Sequence, residues 1–244
     1  MIDLHMHILP GLDDGAGRME ESVIMARKAV DCGVETVAAT SHAYLPGMDT
    51  EQYLRKYKKT FNDFRRKLKQ EQVELDVRPG MEIFVRKEIV ASLREGKLLT
   101  LNGSRYPLIE FSFDVSEELI GLTVKKLIRA GYTPLLAHPE RYDCVKNAPD
   151  IVRKWYQEGA VLQINKGSIL GHFGHRVQRA AHWILGHRLA GIVASDAHNM
   201  YDRTTNLDEL VNALEFTYGI GSVDLLLEEN PMRILQNAEV IRVG

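Results

Sequence analysis

The strongest constraint on the fold is a repeated association: a short apolar run, then at once a side chain capable of chemistry. There are seven such runs, at Ile2–His7, Val34–Thr40, Leu75–Phe84 (broken by Pro79-Gly80), Leu108–Phe111, Pro134–Ala137, Val161–Ile164 and Ile192–Ala194, and six of them carry the association. Each reads as a strand. The stretches between them have helical periodicity: Met19, Val23, Ala26 and Val30 fall on one face, as do Ile120, Val124, Leu127 and Ile128. Gly33, Gly131 and Gly159 stand just before the next run, where a helix C-cap would use them. Alternating strand–helix units predict a parallel sheet. His5/His7, Thr40-Ser41-His42, Glu82, Glu110, His138 and Asp196/His198 lie at or just past the C-terminal ends of six runs. An open sheet would spread those ends too widely to meet, whereas a barrel rings them around one mouth. The prediction is an α/β fold, a distorted TIM-like barrel of about seven parallel strands, in a single domain over residues 1–244.

Composition removes several other classes. With 45% hydrophobic and 26% charged residues the chain is an ordinary globular sequence. A length of 244 residues suits one α/β barrel. Balanced charge, 31 Lys+Arg against 33 Asp+Glu, gives no overall drive toward nucleic acid or an anionic membrane. No apolar run is long enough for a transmembrane helix. The opening residues place Asp3, His5 and His7 where a signal peptide needs an apolar core, so a cytoplasmic location is expected. Cys32 and Cys144 are too few for a disulfide framework.

His5-Met6-His7 is an i, i+2 pair, so both imidazoles leave one face of the first strand. Asp196-Ala197-His198 repeats the arrangement after the last strand, which in a barrel neighbours the first. Two such pairs, joined by His42, Glu82, Glu110 and His138, form a strong metal-ligand signal. Buried charged groups are costly unless paired or metal-bound, which argues against a purely structural ring. Asp14, Glu82, Glu110 and Asp196 supply four negative charges. Two divalent ions would cancel them, and three would leave a positive centre matched to a phosphate dianion. Imidazole and carboxylate ligands without thiolates suit Mn, Zn or Fe better than Mg or Ca. Clusters of this kind, with ions roughly 3.5–4 Å apart, serve phosphoester hydrolysis.

Arg141, in His138-Pro139-Glu140-Arg141, and Arg203, in the loop after His198, are suited to forked contacts with phosphate. Other phosphate chemistry is disfavoured: there is no G-x-x-x-x-G-K-[S/T] loop, and neither cysteine has an arginine six residues on. His172 and His175 read as surface residues of a loop. Residues 53–69 predict a helix with Leu54, Tyr57, Phe61, Phe64 and Leu68 on one face. The other face carries eight basic residues against Asp63, either a solvated surface or a dock for an acidic partner.

As a set, His5-Met6-His7 with Asp13-Asp14-Gly15, Thr40-Ser41-His42, Gly80-Met81-Glu82-Ile83, Leu108-Ile109-Glu110-Phe111, Ala137-His138-Pro139-Glu140-Arg141 and Ala194-Ser195-Asp196-Ala197-His198-Asn199 resemble the PHP superfamily. Within it they resemble the bacterial protein-tyrosine phosphatases of the CpsB/CapC/YwqE type, over nearly the whole chain. The resemblance implies a distorted barrel, manganese as the preferred metal in a cluster of two or three ions, with Fe or Zn as alternatives, and phosphotyrosyl protein as substrate. That substrate is expected to be a tyrosine autokinase of capsular or extracellular polysaccharide synthesis. His5, His7, Asp14, His42, Glu82, Glu110, His138, Asp196 and His198 become metal ligands, Glu82 the bridging carboxylate, and Arg141 and Arg203 phosphate-binding residues. Asp13 is an alternative to Asp14. The expected chemistry is direct attack by a metal-bound hydroxide, with a phenolate leaving group of conjugate-acid pKa about 10 that needs no dedicated general acid. Two other functions fit the same residues: a histidinol-phosphate phosphatase, and a non-catalytic metal-binding regulator. The oligomeric state is left open.

Overall fold

A computed structural model describes residues 1–244. Nine strand segments run parallel: β1 (Ile2–Met6), β2 (Thr36–Ala39), β3 (His42–Ala43), β4 (Asp76–Pro79), β5 (Glu82–Phe84), β6 (Leu108–Glu110), β7 (Leu135–Ala137), β8 (Val161–Asn165) and β9 (Ala190–Ala194). They form two ladders, β1-β2-β4 and β3-β5-β6-β7-β8-β9. Seven passes of the chain account for all nine, because β2 continues into β3 and β4 into β5 across short interruptions. The interruptions have a chemical cause. The Thr40 hydroxyl accepts the Met6 backbone N–H at 2.9 Å, and the Gly80 N–H donates to the Tyr57 hydroxyl at 3.0 Å. Side chains thereby take the place of strand partners where the two passes bend.

The last strand meets the first. Met6 and Ala197 form a parallel bridge, the His7 N–H donates to Ala197 O at 2.9 Å, and the Asp196 N–H donates to His5 O at 2.9 Å. The result is a distorted TIM-like α/β barrel whose β1/β9 seam is pinned at its C-terminal end.

Helices surround the strands: α1 (Met19–Asp31), α2 (Thr50–Gln70), α3 (Ile89–Arg94), α4 (Glu117–Arg129), α5 (Asp143–Asn147), α6 (Val152–Gln157), α7 (Lys166–Ile169), α8 (His175–Gly186), α9 (Asp208–Tyr218), α10 (Ile220–Asp224) and α11 (Asn230–Leu235). The longest, α2, starts where the Asp49 side chain accepts the N–H groups of Glu51 and Gln52. It buries Tyr53, Tyr57, Phe61, Phe64 and Leu68, so Tyr53 takes the inward place that periodicity gave to Leu54. Tyr57 also donates to Ala39 O at 2.8 Å, holding the two bent passes together. Gly33, Gly131 and Gly159 all have positive φ, as their place after helices requires.

Strand residues divide by side. Val37, Ile109, Leu136, Leu162 and Val193 join the large core beneath the helices. Leu4, Ala38, Leu108, Leu135, Val161 and Ile192 form a second, smaller core, which Leu101, Tyr106 and Ile234 share. The C-terminal segment closes this end: Asn230 Nδ2 donates to Gly191 O at 2.8 Å, and the Tyr106 hydroxyl donates to Ala238 O at 2.6 Å. No helix is long and apolar enough to cross a membrane.

Candidate metal centre

All nine side chains singled out as ligands converge at the C-terminal ends of the strands. They fall into four overlapping groups, in each of which one ligand-capable atom per residue lies within 4.8 Å of the others. His7, Asp14, His42 and His198 form one group; His5, His7 and Asp196 a second; His5, Glu82 and His138 a third; His42, Glu82 and Glu110 a fourth. Glu82 belongs to two groups and lies at the centre of the cluster: its Oε2 is 3.2 Å from His5 Nε2, 3.2 Å from His7 Nε2 and 3.0 Å from His42 Nδ1. Asp14 stands at the rim, with its side chain 63% exposed and Oδ1 at 3.3 Å from His198 Nε2.

The donor set fits divalent cations. Glu82 Oε2, His42 Nδ1, Asp196 Oδ1 and His198 Nε2 are buried atoms without a hydrogen bond, although partners of opposite charge surround them. Lone pairs that converge without hydrogen-bond geometry are what a cation would satisfy.

Outer partners fix the rings. His5 Nδ1–H donates to Gln163 Oε1 at 2.9 Å, His7 Nδ1–H to Asp13 Oδ2 at 2.8 Å, and His198 Nδ1–H to Asp196 O at 3.0 Å. Each bond leaves Nε2 bare and turned toward the cluster. Asp13 therefore sits behind His7, and Asp14 alone of the pair faces inward; Asp13 Oδ2 also accepts the His42 N–H at 2.8 Å. Gln163 Oε1 receives the His138 N–H at 3.1 Å as well, so one buried amide orients two of the histidines.

Electrostatics follow from this crowding. Burial opposes a charge on His42, but Glu110 and Glu82 outweigh it and push its pKa up to about 10. Burial opposes a charge on His7 too, and Asp13, Asp196 and Glu82 overcome it. For Glu82, burial favours the neutral acid, yet the charge on His5, the hydrogen bond from His138 and the close approach of His42 hold the carboxyl well below its ordinary range. His198 is the exception: burial prevails over Asp14 and lowers its pKa.

Arg141 and Arg203 meet at the opposite oxygen of Asp196. Arg203 Nη2 donates to Oδ2 at 2.5 Å, Arg141 Nη1 lies at 3.4 Å, and Asn165 Nδ2 also donates there. Asp196 thus turns Oδ1 to the histidines and Oδ2 to two guanidinium groups. Gln163 and Asn165 escaped the sequence reading. Their signal is parity: both alternate with Val161 along β8, which puts three side chains on one face and the last of them at the strand end. His172 and His175 are exposed and stand outside the four groups. Cys32 and Cys144 are free thiols outside them as well.

A family model for capsular polysaccharide synthesis, CpsB/CapC, matches residues 1–236. The chain belongs to the CpsB/CapC family. This CpsB/CapC member is 35% identical over 242 residues to the tyrosine-protein phosphatase YwqE of Bacillus subtilis (strain 168), across 99% of this chain and 94% of that protein. It is 31% identical to the tyrosine-protein phosphatase CpsB of Streptococcus pneumoniae, across 97% of this chain and 99% of that one. Its fold superposes with a TM-score of 0.92 and 34% identity, over 100% of this chain and 97% of the other, on a crystal structure from work describing YwqE and CpsB as unique metal-dependent tyrosine phosphatases. The phosphotriesterase homology protein of Escherichia coli shares the fold at a TM-score of 0.62 with 13% identity, covering 96% of this chain and 98% of that one.

Proposed function

We propose that this protein is a metal-dependent protein-tyrosine phosphatase, with residues 1–244 forming one catalytic unit. The observation that carries the reading is the nine-residue cluster of imidazoles and carboxylates with Arg141 and Arg203 both at Asp196. His5, His7, Asp14, His42, Glu82, Glu110, His138, Asp196 and His198 would hold two or three divalent ions, manganese first, with Fe or Zn as alternatives. Bound divalent ions supply Lewis acidity and a nucleophile competent at neutral pH. Arg141 and Arg203 receive the phosphoryl oxygens, exchanging part of their contact with Asp196 for the substrate dianion. Asn165 keeps a hydrogen bond on Asp196 Oδ2 as they do so. The phenolate departs without a dedicated acid, because its conjugate acid has a pKa of about 10.

The metal-dependent phosphatase relatives favour this reading over a small-molecule phosphatase or a non-catalytic regulator. The family's link to capsular polysaccharide synthesis supports a cytoplasmic tyrosine autokinase as the partner. The test compares phosphate release from a tyrosine-phosphorylated peptide and from histidinol phosphate, with manganese and then with chelator. Chelator-sensitive release from the peptide is expected. Preference for histidinol phosphate, or release that survives chelation, would refute the proposal.

A further inference from the structure

Arg141 owes its position to aromatic rings more than to its ion pair. Its one acidic contact is long, 3.4 Å to Asp196. By contrast its Cζ lies 4.7 Å from the centroid of Phe113 and 4.5 Å from that of Phe173. The two rings come from separate loops, one after β6 and one between α7 and α8. Phe173 can occupy its place because residue 167 is glycine: a Cβ there would meet the Phe173 ring at 2.7 Å. Phe113 does more. Its ring stands edge-on to His138, centroids 6.3 Å apart, and yet it is 43% exposed. No other exposed large apolar side chain touches both a histidine of the cluster and an arginine beside it.

A phenyl ring exposed at that place, beside a histidine of the cluster and an arginine, presents an aromatic surface to whatever reaches the cluster. Aromatic pairs gain by offset or edge-on stacking at centroid separations of roughly 4.5–7 Å. A phosphoryl group held between Arg141 and the cluster would carry its own organic group outward past Phe113. A phenyl ring there has an aromatic partner, and an alkyl chain has none of equal worth.

We infer that Phe113 and Phe173 set the preference for aryl phosphates: Phe173 is a positioning residue that holds Arg141, and Phe113 both supports Arg141 and receives the substrate's phenyl ring. The inference rests on the phosphatase reading above and names the feature of the substrate that the site selects.

The experiment reads binding and turnover in the manganese-loaded full chain. Calorimetry compares phenylphosphonate with methylphosphonate, and kinetics compare one peptide carrying phosphotyrosine or phosphoserine. Phe113→Ala is expected to weaken phenylphosphonate binding and raise KM for the phosphotyrosyl peptide by on the order of tenfold. Methylphosphonate should lose only the share owed to Arg141, as in Phe173→Ala, and phenylphosphonate more, so the phosphotyrosine-to-phosphoserine ratio should fall. Phe113→Tyr should restore that ratio. Phe173→Ala and Gly167→Ala should weaken both phosphonates alike, by displacing Arg141, with Phe173→Tyr recovering binding and bound metal per chain unchanged throughout. An unchanged ratio in Phe113→Ala, with wild-type activity intact, would overturn the inference and leave the phosphatase reading standing. Loss of metal in these variants would overturn it as well. Absence of chelator-sensitive phosphotyrosine hydrolysis in the wild type would instead remove the reading beneath it.

Discussion

Two side chains of the cluster stand on unusual backbone. His138 and Asp196 have φ of 33° and 50°, a region that costs non-glycine residues about 1–3 kcal/mol. His138 follows directly on β7 and Asp196 follows β9 after Ser195, and there a left-handed residue turns the side chain back over the barrel mouth. Glu82 is the carboxylate on which most depends: it alone of the acidic residues belongs to two of the four groups, and its Oε2 faces His5, His7 and His42. Glu82→Ala should therefore lose metal and abolish turnover; elemental analysis and activity check both, and near-normal activity would remove the proposal that it bridges the ions. Asp13 acts one layer out. Asp13→Asn replaces the charge behind His7 Nδ1, and the expected loss is 10–100-fold in metal affinity, roughly the range for such partners, with the fold intact. Metal titration followed by circular dichroism separates the two. Protons compete for the same atoms. His42, with its pKa pushed up to about 10, is protonated at neutral pH in protein stripped of ions, whereas a ligating imidazole must be neutral. Metal loading should release protons, and apparent affinity should fall as pH falls. Calorimetry in buffers of differing ionisation enthalpy measures that release, and proton-neutral binding at pH 7 would contradict it.

At the scale of elements, the loop from β1 to α1 folds back on the strand that precedes it. The Ala16 N–H returns to His7 O at 3.2 Å, and Gly15 lies so close that a Cβ would stand 2.2 Å from the His7 carbonyl oxygen. The obstacle is backbone, which cannot swing aside. Gly15→Ala should cost on the order of 3 kcal/mol, seen by thermal unfolding, and should weaken metal binding through His7. A variant as stable as wild type would mean that the loop yields more readily than its packing implies. The seven passes were legible in the sequence because strand and helix periodicities alternate cleanly. The break at Pro79-Gly80 was legible too, whereas the bend after Ala39 and the side chains that hold both bends were not. The Thr40 hydroxyl on Met6 and the Tyr57 hydroxyl on Gly80 join residues far apart in the chain, so no local pattern announces them. Eight of the nine clustered side chains could be found because they stand at or just past the ends of apolar runs; Asp14, in the loop after β1, came from the Asp13-Asp14-Gly15 motif. Gln163 looked like an ordinary polar interruption of β8, and Phe113 and Phe173 acquire a role only beside Arg141.

Over the whole molecule, charge is segregated. Helix α2 holds eight basic and two acidic residues, a net +6, while the chain as a whole is −2, so the rest carries −8. Its N-terminal part lies near the metal cluster: Lys56 Nζ donates at 2.6 Å to Gly11 O, in the loop that also carries Asp13 and Asp14. A negatively charged protein substrate would be drawn along this face toward the mouth, an effect that salt screens within about 10 Å at 0.1 M. Reversing Lys58, Arg65 and Lys69 to glutamate should raise KM for a phosphorylated protein several-fold at low salt and leave a small aryl phosphate unaffected. Equal effects on both substrates would point to damage at the site itself.

The seam between β1 and β9 also orders events in time. Two of the four ligand groups draw on Asp196 or His198 as well as on His5 or His7, residues at opposite ends of the synthesised chain. A growing polypeptide that has not yet reached β9 contains only the groups built on Glu82. If these groups hold the ions as proposed, full metal loading must wait until β9 and the Asp196-Ala197-His198 segment have been made and the last strand has found the first.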